Sequence, residues 1–271
     1  MNFEWTPFAI AYIASGTVAL VTALVAWKHR SRPGGAALCW LMLATAVWSF
    51  GNAMEICSVG SEAKTMWSNI EYAGITAVPV AWLAGTLSLA GKGEWFTRRN
   101  MLLLLVIPVA TQVFVWTNGY HGLMRYNVWL DESGPFAVIV KTYGPWFWIW
   151  TAYTYALLAI GTISVIRTVV GLPGPYRAQA RLVAVGVLAP WAANILYISG
   201  LAPVGRPDIT PIALVISGLA GTLAILRYRF LDIQPIAWAT VIAGMDDGVV
   251  VTDDRGRVVA ANPAAQALTG C

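Results

Sequence analysis

Seven times along the chain a run of roughly twenty mostly apolar residues returns, and this recurrence restricts the fold more than any other feature. The runs are Phe8 to Trp27, Ala36 to Cys57, Met66 to Ala90, Asn100 to Thr117, Gly144 to Val170, Ala178 to Ser199 and Ile209 to Tyr228. In hydrocarbon no water satisfies backbone N–H and C=O groups, so each run must close its own hydrogen bonds as a helix. A β-barrel would instead need alternating strands of about ten residues, and no such alternation is present. The expected fold is therefore an all-α membrane protein, a seven-transmembrane helical bundle. Pro79, Pro108 and Pro190 fall inside the runs and predict kinks, which a helical bundle in a membrane tolerates.

Composition agrees with a lipid solvent. Of 271 residues 58% are hydrophobic and 11% charged, against about 25% charged in an ordinary soluble domain. Fourteen tryptophans suit two membrane interfaces. The net charge of +4 is not gathered into a stripe, because the bases sit between apolar runs. That distribution argues against a nucleic-acid partner and reads as a set of topology signals.

With the N-terminus outside, the inner segments hold Lys28, Arg30, Arg32, Lys92, Arg98, Arg99, Arg167, Arg177, Arg181, Arg227 and Arg229. The outer ones hold Lys64, Arg125, Lys141 and Arg206, which predicts an N-out, C-in, multi-pass protein of the cell membrane. His29 lies in a basic inner loop and reads as a solvated topology residue. MNFEWTPF lacks a basic n-region and its run is too long for a cleaved signal peptide, so the first span is expected to be retained. Cys39 and Cys57 would stand about 27 Å apart along one helix and cannot bridge each other. A small buried thiol is the favoured reading of Cys57, above pairing between subunits.

The longest connection, Asn118 to Tyr143, lies outside in this topology, and its DESG turn between VWL and FAVIV predicts a hairpin. Such a hairpin suits either a lid over the bundle mouth or a structured connector. No internal repeat at a fixed period is visible, which weakens an inverted-repeat transporter.

Polar groups at membrane depth are costly, so their placement is informative. Asn52 and Glu55 lie late in the second run, Asn69 and Glu71 open the third, Gln112 is late in the fourth, Asn194 and Tyr197 late in the sixth, and Asp208 and Thr210 open the last. All fall in the outward half. The candidate ligand-binding residues are Asn52, Glu55, Asn69, Glu71, Gln112, His121, Asn194 and Tyr197, with Glu55 and Glu71 as the ionisable members. The competing reading is hydrogen-bonding glue between helices. His121, a lone histidine, is more often structural than a ligand. In PWFWIWTAYTY, Trp146, Trp150 and Tyr153 share a helical face, and their position just inside the outer boundary favours an interfacial aromatic belt over a ligand-stacking wall.

Several chemistries are missing from the sequence. A retinal Schiff base needs a lysine within the bundle, whereas Lys28, Lys64, Lys92 and Lys141 lie in connections or at span ends. There is no HExxH, CxxC, GxSxG or P-loop, and no cofactor or metal site is expected in this chain. A receptor is favoured, with a small-molecule transporter or an intramembrane hydrolase as the alternatives.

After the last run, pattern alone predicts a helix near Ile233 to Ala243, a strand Val249 to Thr252, a DDRG turn, a strand Arg257 to Ala261 and a helix capped by Asn262 with Pro263 at its first position. The string MDDGVVVTDDRGRVVAANPAAQALTG resembles the opening of a PAS domain, at Asp246, Gly248, Asp253, Gly256, Asn262, Pro263, Ala264 and Ala265. The region before it resembles the N-terminal seven-transmembrane sensor region of bacterial and archaeal histidine kinases. That likeness rests on TNGYH at Thr117 to His121, YGP at Tyr143 to Pro145, YRAQ at Tyr176 to Gln179, and the pattern Pro190, Asn194, Tyr197. It continues through DITP at Asp208 to Pro211 and RFLDIQPIA at Arg229 to Ala237, so that the two likenesses together cover almost the whole chain.

The resemblance implies a sensor domain over residues 1–231, a linker helix over 232–243 and the N-terminal fragment of an α/β PAS domain over 244–271. It implies a module that relays an extracellular or intramembrane stimulus through the last span to a PAS domain and a histidine kinase. It also implies a homodimer in the full-length protein and a response regulator downstream, with the lipid bilayer as the constant partner. A PAS domain needs about a hundred residues for its core, and the thirty or so here cannot enclose its ligand cavity. No kinase activity is therefore expected of this chain alone. Asp232 and Pro235 are candidates for the relay joint, since Pro235 interrupts a helical hydrogen-bond ladder, though a plain interfacial helix break fits as well. The same sensor coupled to another output, such as a diguanylate cyclase, is a further alternative.

Overall fold

The computed structural model describes residues 2–134, 136–170, 186, 188–196, 208–227, 242, 244–252 and 258–269. The chain divides into two compact units, Met1–Tyr228 and Arg229–Cys271.

The first unit is a helical bundle. Its elements are α1 (Phe8–Lys28), α2 (Gly35–Cys57), α3 (Ser61–Leu89), a 3₁₀ turn (Gly93–Trp95), α4 (Arg98–Trp116), the one-turn α5 (Asn118–His121), β1 (Arg125–Asp131), β2 (Val138–Tyr143), α6 (Pro145–Val170), α7 (residues 188–196) and α8 (Thr210–Arg227). Among the described residues five helices, α1 to α4 and α6, are long and apolar enough to cross a membrane, and α8 is a shorter apolar helix. The sixth expected run is described only in part, over residue 186 and residues 188–196.

Lipid accounts for what an aqueous fold would not. Helix α4 buries only Pro108, Thr111 and Val115 and turns Leu102, Leu103, Val106, Val109 and Val113 outward. A continuous apolar face of this kind is stable against hydrocarbon and unstable against water. Exposed Trp5, Trp27, Trp95 and Trp116 sit at helix ends, where indoles meet the headgroup region. The predicted prolines Pro79 and Pro108 lie inside α3 and α4 as expected.

The core lies among α1, α2, α3 and α8, where Ala19, Ala23, Leu38, Met42, Trp48, Trp82 and Leu214 pack in one cluster. Small residues set the spacing. A Cβ added at Gly74 in α3 would collide with the Ala44 carbonyl and stand 2.8 Å from the Trp48 backbone nitrogen. With little hydrophobic force between helices in lipid, such close backbone approach supplies the packing energy. Hydroxyl groups add cross-helix bonds: Ser15 and Ser49 lie 3.0 Å apart, and Ser15 also donates to the Pro211 carbonyl at 3.2 Å. Cys39 and Cys57 are buried free thiols.

The predicted hairpin is present. Strands β1 and β2 pair antiparallel, with an irregularity between Tyr126 and Trp129 where Asn127 takes φ 50°. Asp131 closes the turn side by accepting bonds from the Ser133 N–H at 3.1 Å and hydroxyl at 2.6 Å.

The second unit contains β3 (Val250–Thr252) paired antiparallel to β4 (Val258–Ala261), then α9 (Pro263–Thr269). Asn262 caps α9 as expected: its Oδ1 accepts from the Ala265 N–H at 2.9 Å and the Val249 N–H at 2.8 Å. Its Nδ2 donates to the carbonyls of Ile242 and Asp247 at 2.9 and 2.8 Å. The linker helix expected over 232–243, with Asp232 and Pro235, lies outside the described residues save Ile242.

Candidate functional site

A cavity of about 620 Å³ opens inside the bundle, within the usual range of about 300–1,000 Å³ for small-molecule sites. Helical periodicity builds its walls. Trp48, Asn52, Glu55 and Ile56 share one face of α2, while Ser68, Glu71, Tyr72, Ile75, Pro79 and Trp82 share one face of α3. Trp150, Thr151, Thr154, Tyr155 and Leu158 come from α6, Pro190, Trp191 and Asn194 from α7, and Thr210 and Leu214 from α8. The hairpin supplies the remaining side through Phe136 and residues 138–141, with Tyr143.

Glu71 is 6% exposed, yet its Oε1 has no hydrogen-bond partner among the described residues. Room for its side chain comes from Gly51, where an added Cβ would collide with the Glu71 Cγ. Glu55 lies beside it and Asp208 contributes a third carboxyl. Burial pushes the Asp208 carboxyl above the usual carboxylate range, while hydrogen bonds from Thr210 and the charge of Lys141 act in the opposite direction.

Polar bonds knit the cavity to the last helix. The Tyr155 hydroxyl donates to Asn194 Oδ1, and Asn194 Nδ2 donates to Thr210 Oγ1 at 3.4 Å. The Thr210 N–H donates to Asp208 Oδ1 at 2.9 Å, and the Tyr12 hydroxyl donates to the Asp208 backbone carbonyl at 2.9 Å. Helices α6, α7, α8 and α1 thus meet at one junction.

Of the expected ligand-binding residues, Asn52, Glu55, Glu71 and Asn194 line the cavity. Three others do other work. Asn69 accepts a bond from the Arg125 guanidinium, which also donates to Ser68 at 3.0 Å. Gln112 donates to Thr76 at 2.9 Å and so joins α4 to α3. His121 lies within its own loop, 3.0 Å from Thr117 Oγ1 and accepting the Leu123 N–H at 3.0 Å. Tyr197 lies outside the described residues.

The favoured aromatic belt on α6 is corrected. Trp150 is 3% exposed and lines the cavity, Trp146 donates to Thr111 at 3.0 Å, and Tyr153 donates to the Leu104 carbonyl at 2.6 Å. Partners on α4 and the cavity itself draw these rings inward, and Trp148 and Ile149 are the exposed large apolar side chains of the run. Lys141 and Trp48, Trp82 and Trp191 were absent from the expected site. Two of them carried a signal, the spacing of four residues from Trp48 to Asn52 on α2 and of three from Trp191 to Asn194; Lys141 and Trp82 carried none.

Two of the motifs that carry the family likeness, TNGYH and YGP, hold one loop together. Asn118 Oδ1 accepts the N–H groups of Met124 and Arg125 at 2.9 and 3.1 Å, and its Nδ2 donates to the Arg125 carbonyl at 2.8 Å. Gly144 packs its backbone on that loop, where its N–H donates to the Met124 carbonyl at 2.9 Å.

No curated protein gives a match to the chain. A PAS domain family matches residues 238–271. The family described as the N-terminal 7TM region of histidine kinase matches residues 11–235, most of the chain, and the chain belongs to that family.

Proposed function

We propose that this chain is the membrane-embedded input module of a two-component sensor histidine kinase, holding seven spans in an N-out, C-in arrangement in the plasma membrane. The cavity receives the stimulus, and the last helix passes it through the segment containing Asp232 and Pro235 to a PAS domain and a dimeric kinase, whose phosphoryl acceptor is a response regulator. The domain limits proposed are 1–231 for the sensor, 232–243 for the linker and 244–271 for the PAS start.

One observation carries this reading: the cavity wall and the entry of α8 are the same hydrogen-bonded junction, Tyr155 to Asn194 to Thr210 to Asp208. A ligand shifts a conformational equilibrium only through its differential affinity for the two states. An occupant touching Asn194 and Asp208 bears directly on the start of α8, whose far end leads towards the residues that match a PAS domain.

The test joins this chain to the downstream sequence of its own gene and measures basal autophosphorylation in proteoliposomes. Asn194→Ala cuts the junction between α6 and α8 and is expected to change the rate by about fivefold or more, the usual size of coupling between sites. Circular dichroism checks that the helices persist. A rate equal to that of the unaltered protein removes the junction from the signalling route.

A further inference from the structure

The cavity has a chemical preference that its shape alone does not reveal. Three carboxyl side chains, Glu55, Glu71 and Asp208, face it, against the single ammonium of Lys141 among the described lining residues. Two other cations of the bundle, Lys64 and Arg125, are committed elsewhere. Lys64 donates to the backbone carbonyls of Glu55 and Ile56 at 2.8 and 3.4 Å, and Arg125 is held by Ser68 and Asn69. Lys141 itself stands 5.9 Å from the Tyr143 ring centroid. Glu71 lines this space as well, and its Oε1 is buried with no hydrogen-bond partner among the described residues.

The wall is also rich in aromatic rings, among them Trp48, Tyr72, Trp82, Trp150, Tyr155 and Trp191. Aromatic faces attract cations through the ring quadrupole, and most strongly where water is excluded. A metal ion does not suit this wall, because no group of three His, Cys, Asp or Glu side chains converges to hold one among the described residues. Carboxyls and aromatic rings on one cavity wall suit a charge spread over an organic group, and about 620 Å³ leaves room for an apolar body beside it.

We infer that the cavity binds an organic cation, an ammonium carrying an apolar body, with Glu55 and Glu71 as its counter-charges and the tryptophan faces as its cage. This rests on the reading of the cavity as the input site and names the class of its ligand. The ammonium can belong to a free solute or to a lipid headgroup.

The test titrates the whole chain in detergent with benzyltrimethylammonium and follows tryptophan fluorescence. Saturable binding is expected, uncompeted by the neutral isostere neopentylbenzene or by benzenesulfonate. Glu71→Gln and Glu55→Gln should each weaken it by about tenfold or more, as expected when one partner of a buried charge pair is removed. Lys141→Gln should tighten it by removing a like charge, and this position tests the idea without touching the buried core. Equal binding of the neutral isostere, preference for the sulfonate, or loss of affinity in Lys141→Gln would overturn the assignment. Those results leave the input reading standing with a different ligand. Cation binding that leaves autophosphorylation unchanged sinks the input reading and leaves the cation site intact. Weaker apparent affinity in nanodiscs of phosphatidylethanolamine than in phosphatidylglycerol marks the headgroup as the source, and equal affinity marks a free solute. Either result supports the cation.

Discussion

Asp208 carries two roles on one side chain: its Oδ1 fixes the Thr210 N–H at the entry of α8, and its charge faces the cavity. Burial raises its carboxyl above the ordinary range, with Lys141 and the Thr210 bonds opposing the shift and Glu55 adding to it. A carboxyl raised on folding contributes stability that is complete below its unfolded value of about 3.9 and is lost as pH climbs through the folded value. Asp208→Asn keeps an acceptor for Thr210 and removes the titration. Its melting temperature in detergent should therefore fall less between about pH 4 and about pH 8 than that of the unaltered chain. A parallel fall in both would show that Asp208 contributes nothing to the pH dependence. At this scale the sequence was legible where cost forced the answer. Glu55, Glu71, Asn52 and Asn194 stood out because polar groups in apolar runs need a reason, and all four line the cavity. Gln112 and Asn69 stood out equally and serve instead as links between elements, since one-dimensional pattern does not say whether a polar group meets a void or a neighbour.

The hairpin is the element whose role only the three-dimensional structure assigns. Its turn chemistry was readable from DESG, but the choice between lid and connector depended on contacts with distant residues. Arg125 at its base is 5% exposed and bonds Ser68 and Asn69 on α3, and Phe136 near its turn packs 5.3 Å from Phe8 on α1. Fixed at both ends, the hairpin holds Val138 to Lys141 against the cavity. Arg125→Leu keeps much of the volume and leaves the polar groups of Ser68 and Asn69 without their donor. Hydrogen bonds to charged groups contribute about 1.5–3 kcal/mol each, and with two of them lost hairpin opening should become easier by at least about 1.5–3 kcal/mol. Amide hydrogen exchange in β1 and β2 is expected to accelerate while α2 and α3 stay protected; unchanged exchange in the strands would mean that Arg125 does not anchor them. The rings of α6 teach the same lesson from the other side, since a shared helical face was evident in the sequence and the partner of that face, Thr111 and Leu104 on α4, was not.

Across the whole molecule, the proposed orientation rests on charge, and the structure changes which charges count. Lys28, Arg30 and Arg32 lie at or between α1 and α2, and Lys92, Arg98 and Arg99 at or between α3 and α4, all at one end of the bundle. At the opposite end, Lys64 is 1% exposed and caps the carbonyls of α2, while Arg125 is bound to α3. A base bound inside the protein presents no charge to the membrane surface, so the bias that drives the positive-inside rule is steeper than a count of residues suggests. The proposed arrangement places the α1–α2 connection in the cytoplasm and the hairpin outside. Ser31 and Ser133 are exposed positions in those two places, and Cys39 and Cys57 are buried. With Cys271 replaced by Ser, a membrane-impermeant maleimide should label Ser133→Cys in intact cells and Ser31→Cys only after permeabilisation. The reverse pattern would place the cavity mouth on the cytoplasmic side, and the input reading would then need a stimulus from within the cell.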